Sequence, residues 1–207
     1  MNTVIDNFQT NDYCVVKSAI SQELLDFVTQ YTLFDEMQNF SPNDNQVAGA
    51  HSKYGDPAME TLLLHLHPIM ESNTGLSLHP TYSYYRVYRN GDELAKHRDR
   101  PSCEISCTLC LNYEYADKNY SWPIFMDGTS VTLEPGDLVI YRGCELDHWR
   151  EKFNGANSDW HVQGFFHYVN KNGPYADWKY DKRNSIGEVN KTPSSQISSK
   201  SYISFTG

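Results

Sequence analysis

No apolar run in the 207-residue chain comes near the roughly 20 residues that a bilayer-spanning helix needs. The opening MNTVIDNFQT has neither a basic n-region nor an apolar core, so no secretion signal is read and a cytoplasmic location is expected. Basic charge is scarce: 17 Lys+Arg stand against 26 Asp+Glu, a formal net charge of −9. A sequence-independent nucleic-acid binder needs basic surface to release counterions, and anionic lipid attracts the same charge, so both partners are disfavoured. The five cysteines, an odd number, fit a reducing compartment better than a disulfide framework. Internal repeats are missing, which excludes solenoids and propellers. No phosphate loop, dinucleotide fingerprint or nucleophile elbow is found.

What remains is a chain of one domain's length, able to bury a core without staples. Residues 13–16 read as a short apolar strand. Ser21 stands at an N-cap position, and Leu24, Leu25, Val28 and Tyr31 follow at helical spacing. A second amphipathic helix is expected over 57–71, with Pro68 kinking it or ending it early and Gly75 marking its stop. From Tyr82 the texture turns to strand: 82–88 closed by the Asn90-Gly91 turn, then 104–113, 131–133, 138–141 and 162–169. Pro135 and Gly136 are placed for a type II turn. Several short strands at such intervals suggest a sandwich, barrel or jelly roll. The expected organisation is a domain over 1–183, with helical support in 1–80 and a β core in 81–170. A Ser-rich tail follows over 184–207, with 201–205 able to add a strand.

Chemistry concentrates on His97 and Asp99, in KHRDRP, and on His148, in LDHWRE. Side chains at i and i+2 of a strand share a face, so one ion can bind both. A histidine from a neighbouring strand then completes a two-His-one-carboxylate facial triad, a donor set that suits Fe(II) and leaves positions open. By itself His-x-Asp is a weak signal, and its surroundings give it weight.

The segment Tyr88-Arg89-Asn90-Gly91 through His97-Arg98-Asp99 resembles the Tyr-x-x-Gly…His-x-Asp signature of prolyl-4-hydroxylase-like 2-oxoglutarate/Fe(II)-dependent oxygenases. Further on, Pro135-Gly136-Asp137 looks like the strand that precedes the family's last metal histidine, and His148 falls at that histidine's place. The resemblance implies a mainly β fold with supporting α: a double-stranded β-helix (a cupin-like jelly roll) flanked by N-terminal helices. It implies Fe(II) held by His97, Asp99 and His148, with 2-oxoglutarate and molecular oxygen as cosubstrates and ascorbate as an accessory reductant. Such enzymes couple release of succinate and CO2 to hydroxylation of an unactivated C–H bond. A peptide, protein or amino-acid substrate, prolyl or another side chain, is the expected partner.

The match departs from the family at the cosubstrate anchor. Relatives carry Arg or Lys on the final strand, about ten residues after the last metal histidine, and no base stands there in this chain. Arg150, His161 and Arg86 are the candidates for the distal carboxylate, and Tyr88 matches a tyrosine that relatives use to bond 2-oxoglutarate. A charged fork favours Arg150. Two other readings stay open: a non-catalytic jelly-roll binding module, and an oxygenase of nucleic acid bases using Lys96, Arg98 and Arg100 as a basic rim.

Other signals are set down. Cys103, Cys107 and Cys110 have a Cys-x3-Cys-x2-Cys spacing, but strand alternation keeps them from converging on one iron–sulfur cluster, and Cys110 is left to face the cavity. His65 and His67, two apart on a helix, make no metal pair. His167 is expected to be a bonded core histidine or to line the cosubstrate pocket. Tyr82, Tyr84, Trp122, Trp149 and Trp160 are candidate cleft walls, and 114–123 and 154–159 candidate rim loops.

Overall fold

The computed structural model describes residues 4–42 and 44–188. In chain order it contains α1 (Val4–Asn11), β1 (Tyr13–Val16), α2 (Gln22–Asn39), β2 (His51–Tyr54), α3 (Pro57–Thr74), β3 (Leu78–Arg89), β4 (Leu94–His97) and β5 (Ile105–Glu114). The later strands are β6 (Ile124–Met126), β7 (Thr129–Val131), β8 (Leu138–Arg142), β9 (His148–Arg150) and β10 (Trp160–Asn170). Short 3-10 turns lie within Ala176–Lys182, and the described chain ends at residue 188.

The strands form two antiparallel sheets. The larger runs β1-β8-β5-β10-β3-β2, and the smaller runs β4-β9-β6-β7. The outer face of the large sheet is covered by the helices: Phe8, Leu25, Val28, Leu63 and Leu66 pack on Cys107, Leu109, Ile140, Val162 and Phe166. Burying each such side chain contributes roughly 1.5–3 kcal/mol. The inner face looks across to the small sheet, where Ile124 and Met126 meet Val139 and Tyr141. This is the expected jelly roll with helical support. The alternation in β5 thus separates two buried faces rather than a buried and a wet one.

Local chemistry explains the element ends. Ser21 Oγ accepts from Leu24 N, and Asp56 caps α3 through Ala58 N at 3.0 Å. Gly75 ends α3 in the left-handed region, with φ +71°. Pro68 does not end the helix, which runs on to Thr74. The carbonyl it leaves without an intrahelical donor belongs to Leu64, which is solvent-exposed. Gly136, at φ +89°, makes the expected turn into β8. Arg183, just before the expected tail, donates to the Thr81 carbonyl oxygen and pairs with Glu60 at 2.5 Å, and in the described part of the tail Gly187 N donates to Glu60 Oε2 and Ile186 packs on the core. The strand expected at 201–205 lies outside the described residues.

Candidate active site

His97 ends β4, and His148 opens the neighbouring β9 as its direct cross-strand partner. Asp99 lies just past the end of β4 and is aimed by backbone rather than strand pleat: its N donates to Gly143 O at 2.8 Å. Gly143 is glycine for a reason of space. A Cβ there would collide with the Cys103 carbonyl oxygen and press on the Asp99 carboxylate. The Nε2 atoms of both histidines lie 3.7 Å from Asp99 Oδ1. One donor atom from each of the three lies within 4.8 Å of the others.

The ring tautomers follow from the second contacts. His97 Nδ1 donates to the Ala95 carbonyl oxygen at 2.8 Å, and His148 Nδ1 to that of Leu146 at 3.0 Å. Each Nε2 therefore presents a lone pair toward Asp99. Burial holds both imidazoles neutral, and with the neighbouring His97 it lowers His148 to about 4. Burial also raises the Asp99 carboxyl to about 7, against the opposing pull of Ser106 and Arg100. Two neutral imidazoles and a carboxyl displaced from water are a donor set that a divalent cation satisfies.

The triad opens into a cleft of about 620 Å³. Tyr54, Tyr82, Tyr84 and Phe165 wall it, and Arg86 lies within it. Arg86 is fully engaged: Nε donates to Asp44 Oδ2 at 2.5 Å, Nη2 to Asp44 Oδ1 at 3.0 Å, and Nη1 to the Tyr88 hydroxyl at 2.7 Å. Tyr88, wholly buried, meets Trp122 edge-on. Arg150 is different. It projects into the barrel on the same strand face as His148, over the Trp122 ring at 4.6 Å. Nη1 donates to the Trp122 carbonyl oxygen (2.6 Å) and Nη2 to Gln163 Oε1 (3.2 Å), while Nε has no partner. No carboxylate among the described residues pairs with it, and burial pushes its pKa down. His161 sits beside it with both ring nitrogens committed, to the Tyr115 hydroxyl and to Gln163.

The remaining candidates are spread more widely. Trp149 faces outward, stacked on Phe125 at 5.1 Å, and Trp160 packs toward the helices. His167 lines the cleft, bonded to Ser106 Oγ at 2.8 Å and packed on Tyr82. The three cysteines occupy three environments: Cys103 at the cleft beside the Tyr82 hydroxyl, Cys107 under the helices, and Cys110 on the inner face 3.9 Å from His161. The basic rim is paired off, Lys96 and Arg98 with Asp147 and Arg100 with Asp181. Asp44 and Gly143 carry roles that the sequence reading did not assign.

A Pseudomonas putida prolyl-4-hydroxylase superposes with a TM-score of 0.61 at 19% identity, covering 79% of this chain and 96% of that one. The fold is that of the 2-oxoglutarate-dependent oxygenases. A prolyl hydroxylase from Trichoplax adhaerens, solved with a peptide fragment of hypoxia inducible factor, has a TM-score of 0.63 at 14% identity over 82% of this chain and 89% of that one. HygX from Streptomyces hygroscopicus, with nickel and 2-oxoglutarate bound, gives 0.59 at 11% identity, covering 80% and 85%. No protein-family model matches the sequence, and no curated protein is detectably similar to it. At these identities the likeness to the oxygenases is one of fold, and the chemistry rests on the side chains. No helix among the described residues is long and apolar enough to cross a membrane.

Proposed function

We propose that this chain is an Fe(II)- and 2-oxoglutarate-dependent dioxygenase of the cytoplasm that hydroxylates an unactivated C–H bond of a peptide prolyl or other amino-acid side chain. The observation that carries the reading is a pair on one strand face: a neutral imidazole in a two-His-one-carboxylate cluster, and two residues on a buried guanidinium with no counter-charge among the described residues. His97, Asp99 and His148 would hold the metal. Arg150 would receive the distal carboxylate of 2-oxoglutarate, neutralising a charge that is otherwise costly to bury. Fe(II) with 2-oxoglutarate and oxygen supplies the oxidising chemistry, one oxygen atom entering the substrate and the other succinate as CO2 leaves.

The protein's own part is placement. The Ala95 and Leu146 carbonyls fix the two imidazoles with Nε2 forward. Tyr54, Tyr82 and Tyr84 offer ring faces on which a peptide or amino-acid side chain can lie. The binding-module reading rests on the missing last-strand base, and Arg150 on β9 would supply a guanidinium in its stead. The nucleic-acid reading loses support because each rim cation already has a carboxylate.

The test is anaerobic. Fe(II) and then 2-oxoglutarate are added to metal-free protein, and the visible charge-transfer band of chelated cosubstrate is followed. The band should appear, and should vanish in His97→Ala and Asp99→Ala. Iron binding without any band would overturn the cosubstrate assignment, and an absence of iron binding the whole reading.

A further inference from the structure

Arg150 does not fix its own aim. Its Nη2 donates to Gln163 Oε1, and the Gln163 amide is in turn held at both ends. Gln163 Nε2 donates to Thr108 Oγ1 at 2.6 Å, while Oε1 also accepts from His161 Nε2 at 2.8 Å. A guanidinium can only donate, so the amide oxygen must face Arg150, and His161 must carry its proton on Nε2. Its Nδ1 is then a lone pair and accepts from the Tyr115 hydroxyl at 2.7 Å. The chain of donors runs one way, from Tyr115, just past the end of β5, through His161 to Gln163, where it meets Arg150. Thr108, His161 and Gln163 are all at most 2% exposed, so a broken link in the chain is costly.

We infer that His161, together with Gln163 and Tyr115, is a positioning relay that aims Arg150 and thereby sets the affinity and chain-length selectivity for the 2-oxo diacid. The inference rests on the cosubstrate reading above. His161 is not itself a carboxylate anchor, because neither ring nitrogen is free to take one. Burial and the adjacent Arg150 cation hold its pKa well below the usual imidazole range. A second ring proton would sit on Nδ1, turn the Tyr115 hydroxyl away and set like charges side by side. Leucine at 161 would leave Oε1 of Gln163 with one donor fewer and the amide free to rotate. Its Nε2 could then face Arg150, donor against donor.

The test uses the Fe(II)-loaded full chain and its His161→Leu, His161→Gln and Tyr115→Phe variants. Each is titrated anaerobically with 2-oxoglutarate, with 2-oxoadipate (one methylene longer), and with 2-oxobutyrate, which has no distal carboxylate for Arg150 to meet. His161→Leu should bind 2-oxoglutarate about 30-fold more weakly, the range of one hydrogen bond to a charged group, with 2-oxobutyrate unchanged. The preference for 2-oxoglutarate over 2-oxoadipate should narrow in parallel. His161→Gln can donate from its own amide and should recover to within about 5-fold, and Tyr115→Phe should lose a similar small factor. A wild-type protein that gives no cosubstrate band fails at the cosubstrate reading and not at the relay. If the band forms and His161→Leu binds 2-oxoglutarate as wild type does, the relay is overturned. Equal weakening toward 2-oxoglutarate and 2-oxobutyrate marks a merely structural role and overturns it as well. Should His161→Leu fail to fold, the Tyr115→Phe titration decides: a loss confined to the ligands with a distal carboxylate supports the relay, and wild-type affinity for 2-oxoglutarate, or equal weakening toward 2-oxobutyrate, overturns it.

Discussion

Two guanidinium groups lie inside the barrel, each 1% exposed, and their surroundings treat them in opposite ways. Arg86, on β3, is met by both oxygens of Asp44, by the Tyr88 hydroxyl and by Gln46 Oε1 at 3.0 Å. Burial alone would lower its pKa, but its contacts with Tyr88 and Asp44 raise it instead. Arg150, on β9, has two neutral acceptors, an orphaned Nε and no carboxylate among the described residues, and burial lowers it. A fixed ion pair of the first kind fastens a loop to the wall. A desolvated charge of the second kind is held at a cost that only an arriving anion removes. On the proposed reading, the first is architecture and the second a site.

The contrast is most sharply broken at Arg86. Arg86→Met strands a buried Asp44 carboxylate, and unfolding free energy should fall by about 3–5 kcal/mol in urea titrations at pH 7. The pH dependence carries its own sign. In the wild type burial pushes Asp44 up, but the bonds and charge of Arg86 and the Gln46 and Val47 amides pull it below the ordinary carboxylate value. The pair therefore stabilises the fold above the unfolded value near pH 4, and that contribution is lost as pH falls through the lower folded value. In Arg86→Met burial is no longer opposed by the guanidinium, so the carboxyl takes up its proton at higher pH than in the wild type and the deficit should shrink toward pH 4. A deficit undiminished at pH 4 would mean that Asp44 is not the stranded partner.

Arg150→Met should do the reverse. It strands no charge, so stability in urea should hold or rise, while 2-oxoglutarate affinity drops about 100-fold with iron still bound. A stability loss matching that of Arg86→Met would erase the distinction between the two arginines. Next in size is a change at the metal end that leaves both arginines alone. Gly143→Ala puts a methyl group against the Asp99 carboxylate and should weaken iron binding about 10- to 100-fold, the range for residues that orient a ligand. Metal titration by absorbance or calorimetry reads it directly, and an unchanged affinity would show that Asp99 does not depend on the close approach of Gly143.

Much of the fold was legible in the sequence because it rests on local rules. Ser21 and Gly75 bound their helices, Gly136 makes its turn, and β5, β8 and β10 run where apolar periodicity puts them. The less legible parts lack periodicity. β2 is His51-Ser52-Lys53-Tyr54, with no apolar alternation, and β4, β6 and β9 are only three or four residues long. His97, Asp99 and His148 could be singled out because a donor type at a fixed offset is a local signal. Asp44 could not, since its partner Arg86 is 42 residues away and only the fold brings them together. Nor could sequence separate Arg86 from Arg150, because what divides them is a carboxylate present beside one and absent beside the other.

The rim supplies a third class of cation, and the smallest expected effect. Arg98 is paired with Asp147 at 2.6 Å, yet its side chain is 58% exposed and solvent screens the pair. Its loss strands nothing, since Asp147 also meets Lys96 and faces water. Arg98→Ala should therefore leave both the urea midpoint and the 2-oxoglutarate titration where they were. It should also leave weak oligonucleotide binding at low salt unchanged, because the cation is already answered by a carboxylate and has few counterions to release. A clear fall in oligonucleotide affinity, steep in salt, would reverse that placement. Arg98 would then stand with Arg150, as a charge kept for an anion that arrives from outside.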